Sequence, residues 1–124
     1  MTSRKSKTSV EDIFYLSWSR LEVFFSFHER KHPIIDLIAQ LREEGYDRRL
    51  HVGRQLHAFV LSRSLNHVLR PEQPRLILEL QTHNALYVWY YRAPDVKIEL
   101  DVTPIELTPA LEALLMHLVA HPID

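Results

Sequence analysis

The chain has 124 residues, 46% apolar and 25% charged, with 15 Lys and Arg against 16 Asp and Glu, a formal net charge of −1 and no cysteine. This length suits one domain around one core, and the composition is that of an ordinary globular protein rather than a disordered chain. Without cysteine there are no disulfides, no thiolate nucleophile and no cysteine-ligated zinc or iron–sulfur site, and a reducing, cytoplasmic setting is expected.

Met1 to Ser9 is polar and basic through Arg4, Lys5 and Lys7. It lacks the apolar stretch of a signal peptide and reads as a flexible basic tail before a single domain over 10–124. Thr8 or Ser9, each three residues ahead of Glu11 or Asp12, fits the reciprocal N-cap pattern and predicts a helix start. Phe14, Trp18, Leu21 and Phe25 then recur at helical spacing, with Leu16, Val23 and Phe27 on the other side. The alternation of Leu21, Val23, Phe25 and Phe27 also fits a strand; helix is preferred. Arg20 and Glu22 interrupt this apolar stretch, so it is too short and too charged to serve as a membrane anchor.

Pro33 suits the first turn of a second helix, whose apolar face is Ile34, Ile35, Leu37, Ile38 and Leu41. Gly45 fits the left-handed position that closes it. A third helix is expected from about Arg48, with Val52, Leu56, Phe59 and Val60 as its buried stripe, ending near Ser62 or Ser64. A less regular stretch then runs to Pro74.

From there the period changes to two. Leu76, Leu78 and Leu80 alternate with Ile77, Glu79 and Gln81, and Val96, Ile98, Leu100 and Val102 alternate with Lys97, Glu99 and Asp101. Leu86 to Tyr91, apolar on both faces, reads as the strand between them. Thr108 and Pro109 cap a last helix, with Leu111, Leu114, Leu115, Leu118 and Val119 on its buried side. The expected class is α+β: N-terminal helices, a three-stranded antiparallel β-meander and a C-terminal helix, packed on one sheet face.

Four features bear on chemistry. His28-Glu29-Arg30-Lys31-His32 has the letters of the zinc motif HExxH, but Pro33 disfavours a helical His32 and Arg30 and Lys31 would repel a dication. Neither a metal nor another cofactor is expected. Between Arg48 and Pro71 lie five arginines (Arg48, Arg49, Arg54, Arg63, Arg70) and three histidines (His51, His57, His67) without an acid. Planar guanidinium forks suit phosphates and carboxylates, although a pI near 6.7 is far below that of an obvious nucleic-acid binder. The same arginines could instead pair with Glu79, Glu99, Asp101 or Glu106 of the chain itself.

Within this segment Ser62, Arg63, Ser64, Asn66, His67 and Arg70, with Arg54, concentrate hydrogen-bonding side chains. They are the candidate anion- or partner-binding residues: the arginines would hold the anion, the serines would donate to it, and His67 could titrate near neutral pH. Spacing supplies no base or orienting acid for a serine nucleophile, so no catalytic residue is assigned. Tyr87, Trp89 and Tyr91 should share one face of the middle strand, beside Glu79, Lys97, Glu99 and Asp101, an aromatic centre with a charged rim.

The sequence therefore reads as a small binding or interaction protein, a homodimer through the aromatic face, with an arginine-rich surface for an anionic or acidic partner. The alternative is a nucleic-acid or phosphate-ligand binder centred on Arg48–Arg70, and a small enzyme using His67 ranks behind both.

Overall fold

A computed structural model describes residues 9–28, 34–55, 58–65, 69–81, 84–92 and 96–124, in side chains for all of these but 23–28 and 96. The basic tail up to residue 8, Pro33, and all of the HExxH-lettered string except His28 lie outside them.

The first two helices form where capping and periodicity place them. Helix α1 spans Val10–His28, and Ser9 Oγ accepts from the Asp12 N–H at 3.1 Å, supplying an acceptor to a first-turn donor that the helix itself leaves unpaired. Phe14, Trp18 and Leu21 are buried on one side of it. Helix α2, Ile34–Glu43, buries Ile34, Leu37, Ile38 and Leu41, each worth about 1.5–3 kcal/mol on full burial. Gly45 follows at φ +88°, its N–H bonded to Arg42 O at 3.0 Å, and a short 3-10 turn over Tyr46–Arg48 leads the chain to the sheet.

The expected third helix does not form. Its residues make strands β1, His51–Gln55, and β2, Ala58–Ser62, paired antiparallel with Gln55 opposite Ala58. Val52, Leu56, Phe59 and Val60 do fall on a helical stripe, but Phe59 and Leu61 each find a leucine in the next strand, Leu78 and Leu76. Cross-strand pairs of this kind decide strand formation more than local preference does, and a short window of sequence does not reveal them. The sheet therefore has five strands rather than three, completed by β3, Arg75–Leu80, β4, Leu86–Arg92, and β5, Val96–Val102. The order is β1-β2-β3-β4-β5, every neighbouring pair antiparallel.

Helix α3, Pro109–Val119, starts at Thr108, whose side chain accepts from the Leu111 N–H, with proline in the first turn. It buries Leu111, Leu115 and Leu118. One core joins these leucines, Trp18 and Leu21 of α1 and the buried side chains of α2 to Val52, Phe59, Leu61, Leu76, Leu78, Leu86, Val88, Tyr90 and Val102. All nine sheet residues lie on one face, as the register requires.

The two sheet edges differ. At β1 the Val52 N–H donates to Ser17 Oγ at 3.0 Å and Trp18 Nε1 donates to Leu50 O at 2.8 Å, so α1 covers that edge. At β5 the outer strand carries Lys97, Glu99 and Asp101, all exposed, and charge on an edge strand discourages unwanted strand pairing. Among the described residues no helix is long and apolar enough to cross a membrane.

Candidate functional site

On the face that the core leaves free, register lines the side chains into three rows across the sheet. One row holds His51, Ser62, Arg75, Tyr91 and Lys97; the middle row holds Gly53, Val60, Ile77, Trp89 and Glu99; the third holds Gln55, Ala58, Glu79, Tyr87 and Asp101. Positive charge thus gathers at one end of the strands and negative charge at the other.

Over the β1–β3 half of this face lies a cavity of about 390 Å³, within the size range of small-ligand sites. Its floor includes Gly53, Val60 and Ser62, with His51 beside them. Ser62 and His51 are both buried, and His51 sets its ring edge-on to the fully buried Phe14, centroids 6.4 Å apart. The rim is formed by Arg54, Gln55, Leu69 and Arg75, Arg54 and Gln55 being exposed and Arg75 half-buried.

Arg75 is held in place by neutral groups. Its Nε donates to Gln73 O at 3.3 Å, and its Nη2 donates to Arg70 O at 2.6 Å and Pro71 O at 3.5 Å. The turn that offers these carbonyls is closed by Gln73, whose Oε1 accepts from the Arg70 N–H at 2.7 Å and whose own N–H donates to Arg70 O at 3.1 Å. Carbonyls orient the guanidinium without cancelling its charge, and donors remain beyond those on Nε and Nη2. The Tyr91 ring lies 5.7 Å from it. No Asp or Glu is found among the described lining residues, and the described partners of the Arg75 guanidinium are all carbonyl oxygens.

Of the candidate residues, Arg54 and Ser62 line this cavity. Ser64 is buried beside it, its N–H donating to Ser62 Oγ at 3.2 Å, a bond that leaves the Ser62 hydroxyl proton unused. Arg63 points elsewhere: its Nε donates to His121 O at 2.8 Å and its Nη1 to Arg49 O at 2.6 Å, and burial lowers its pKa from the ordinary guanidinium value. Arg70 bonds Glu72 and Asp124, each at 2.6 Å. The bond to Glu72, and then the charge of Asp124, raise the Arg70 pKa, while the same bond lowers that of Glu72. Asn66 and His67 lie outside the described residues. Arg48 and Arg49 stack over Tyr15 and Tyr46 at 4.9 and 5.9 Å, so the segment's arginines are distributed over separate partners.

Gln55 and Arg75 are cavity residues that the sequence reading did not single out, and His51 appeared there among the segment's histidines but not among the candidate site residues. Their signal was register: once 51–62 is read as a hairpin, His51 falls opposite Ser62 and Ser62 opposite Arg75. Tyr87, Trp89 and Tyr91 do share one face, all three half-buried. Tyr87 meets Trp89 edge-on at 5.5 Å, its hydroxyl bonds Glu99, and Lys97 Nζ sits 4.3 Å from the Trp89 ring centroid. Among the described residues no group of three or more His, Asp or Glu is placed to hold a metal ion. No protein family, no curated protein and no solved structure matches the chain.

Proposed function

We propose that this chain is a small binding protein whose cavity over β1–β3 receives an anionic group, a carboxylate or a phosphate. The observation that carries this reading is Arg75, whose guanidinium is fixed at the cavity rim by carbonyls rather than by an acid, with the Ser62 hydroxyl beside it. Guanidinium donors bond such anions bidentately, and a partly enclosed site screens the attraction less than open water does. Val60 and Leu69 supply an apolar wall for a carbon skeleton attached to the anion.

An extended polyanion fits less well. Glu79, Glu99 and Asp101 lie on the same sheet face and would repel successive phosphates of a nucleic acid. A compact anion at the Arg75 end avoids them.

The reading is tested by calorimetric titration with inorganic phosphate and with citrate. One-site binding is expected for the wild type. A Cβ at Gly53 would meet no atom within 4 Å, so Gly53→Val should fold, intrude on the cavity floor and weaken binding. Arg75→Gln removes a charged hydrogen bond worth about 1.5–3 kcal/mol and should weaken binding roughly ten- to a hundredfold. Arg70→Gln should leave it unchanged. A wild type that binds neither anion, or a Gly53→Val variant that binds as well as wild type, contradicts the reading.

A further inference from the structure

The geometry points to a second copy of this chain as the occupant of the β3–β5 part of the helix-free face, stacked on it about a two-fold axis that runs across the strands. The interface is isologous, each protomer using the same patch.

The charge layout selects this arrangement. Two copies can stack this face on itself with the two-fold axis running either along the strands or across them. With the axis along the strands and centred on β4, the row of Arg75, Tyr91 and Lys97 lies over its own copy, and Lys97 faces Arg75. Like charges brought together in an interface cost several kcal/mol. With the axis across the strands at the level of Trp89, that row lies over Glu79, Tyr87 and Asp101. Lys97 then faces Asp101, Arg75 faces Glu79, so that the dimer and a bound anion compete for Arg75, and Tyr91 faces Tyr87, while Ile77 and Trp89 meet their own copies at the centre. The outcome is an apolar and aromatic middle between two sets of opposite charges, the composition of a protein interface, with sheets in the aligned packing that leaves about 10 Å between them.

Glu99 is the one acid at the central level. It meets its own copy there, but its charge is already engaged by Lys97 Nζ at 3.3 Å and by the Tyr87 hydroxyl. Trp89 Nε1, on the same row, is buried without a hydrogen-bond partner among the described residues. Buried donors in native proteins are nearly always paired, and this one has no partner among the described residues of one protomer.

Lys97 and Asp101 are exposed and lie outside the cavity lining, so substitutions there separate this inference from the anion-binding one. Sedimentation equilibrium at low salt should show a wild-type dimer. Lys97→Glu should raise the dimer dissociation constant about tenfold or more, and Asp101→Lys should do the same. The double variant Lys97→Glu/Asp101→Lys should restore the wild-type value, because the two positions face each other across the axis. Anion binding by each single variant, read by the same calorimetry, should persist. A monomeric wild type at every concentration overturns the inference. So does a dimer that tightens with Lys97→Glu, which is the signature of the other axis, or one indifferent to all three variants, which places the interface elsewhere.

Discussion

Ser17 shows how much one small side chain can fix. Its hydroxyl donates to Phe14 O at 2.7 Å within α1 and accepts from the Val52 N–H of β1, so removing it leaves a buried strand donor without a partner. Ser17→Ala should therefore destabilise the fold by about 1–3 kcal/mol, checked by urea unfolding. Tyr90 plays a similar joining part at the other end of the core. Its hydroxyl lies 2.9 Å from His117 Nδ1 and 2.8 Å from His121 Nε2. Burial, followed by the neighbouring His117, Arg92 and Arg63, lowers the His121 pKa from its ordinary 6.5. The folded state thus favours neutral His121, and the unfolded chain takes the proton more readily. Stability on this account is full above about pH 6.5 and is lost as the pH falls through the lowered folded value. Urea midpoints should drop on acidification, and the drop should be smaller in His121→Gln; an unchanged drop contradicts the assignment.

At the scale of elements, the helix ends are governed by single residues that sequence identifies. Gly45 holds φ +88°, a conformation costing a residue with a Cβ roughly 1–2 kcal/mol, so Gly45→Ala should lower stability by about that amount. Thr108→Ala removes the acceptor for Leu111 N–H and should cost about 1 kcal/mol. Both losses are read from thermal or urea unfolding. Caps and glycine signals act within a few residues, and so the starts of α1 and α3 and the close of α2 were legible. The 51–62 hairpin was not. Val52 and Leu61, and then Leu61 and Leu76, are brought together only by pairing across the sheet, and the competing helical stripe is local. That single difference also hid the cavity. With 51–62 as a helix, His51 and Arg75 have no relation; as β1 and β2, they fall in one row with Ser62 between them. The aromatic row was legible for the opposite reason, since alternation in β4 alone places Tyr87, Trp89 and Tyr91 on one face.

The whole molecule divides its work between the two faces of one sheet. One face carries the core, with buried side chains from all three helices; the other carries the cavity and the charge-graded aromatic rows, and Phe14 of α1 reaches His51 there. The arginine-rich segment, whose bias was the strongest feature of the sequence, serves both. Arg63 ties the end of β2 to Arg49 O and His121 O and Arg70 reaches Asp124, fastening the C-terminal residues, while Arg54 is among the residues that line the cavity. The central claim is that the cavity between β1 and β3 is where an anion binds, and amide chemical shifts recorded during titration with inorganic phosphate test it most directly. Saturable shifts confined to Gly53, Val60, Ser62, Arg75 and their neighbours on β1–β3 are the predicted result. Shifts centred instead on Arg63 and Arg70 at the C-terminal side, or none that saturate, would contradict it.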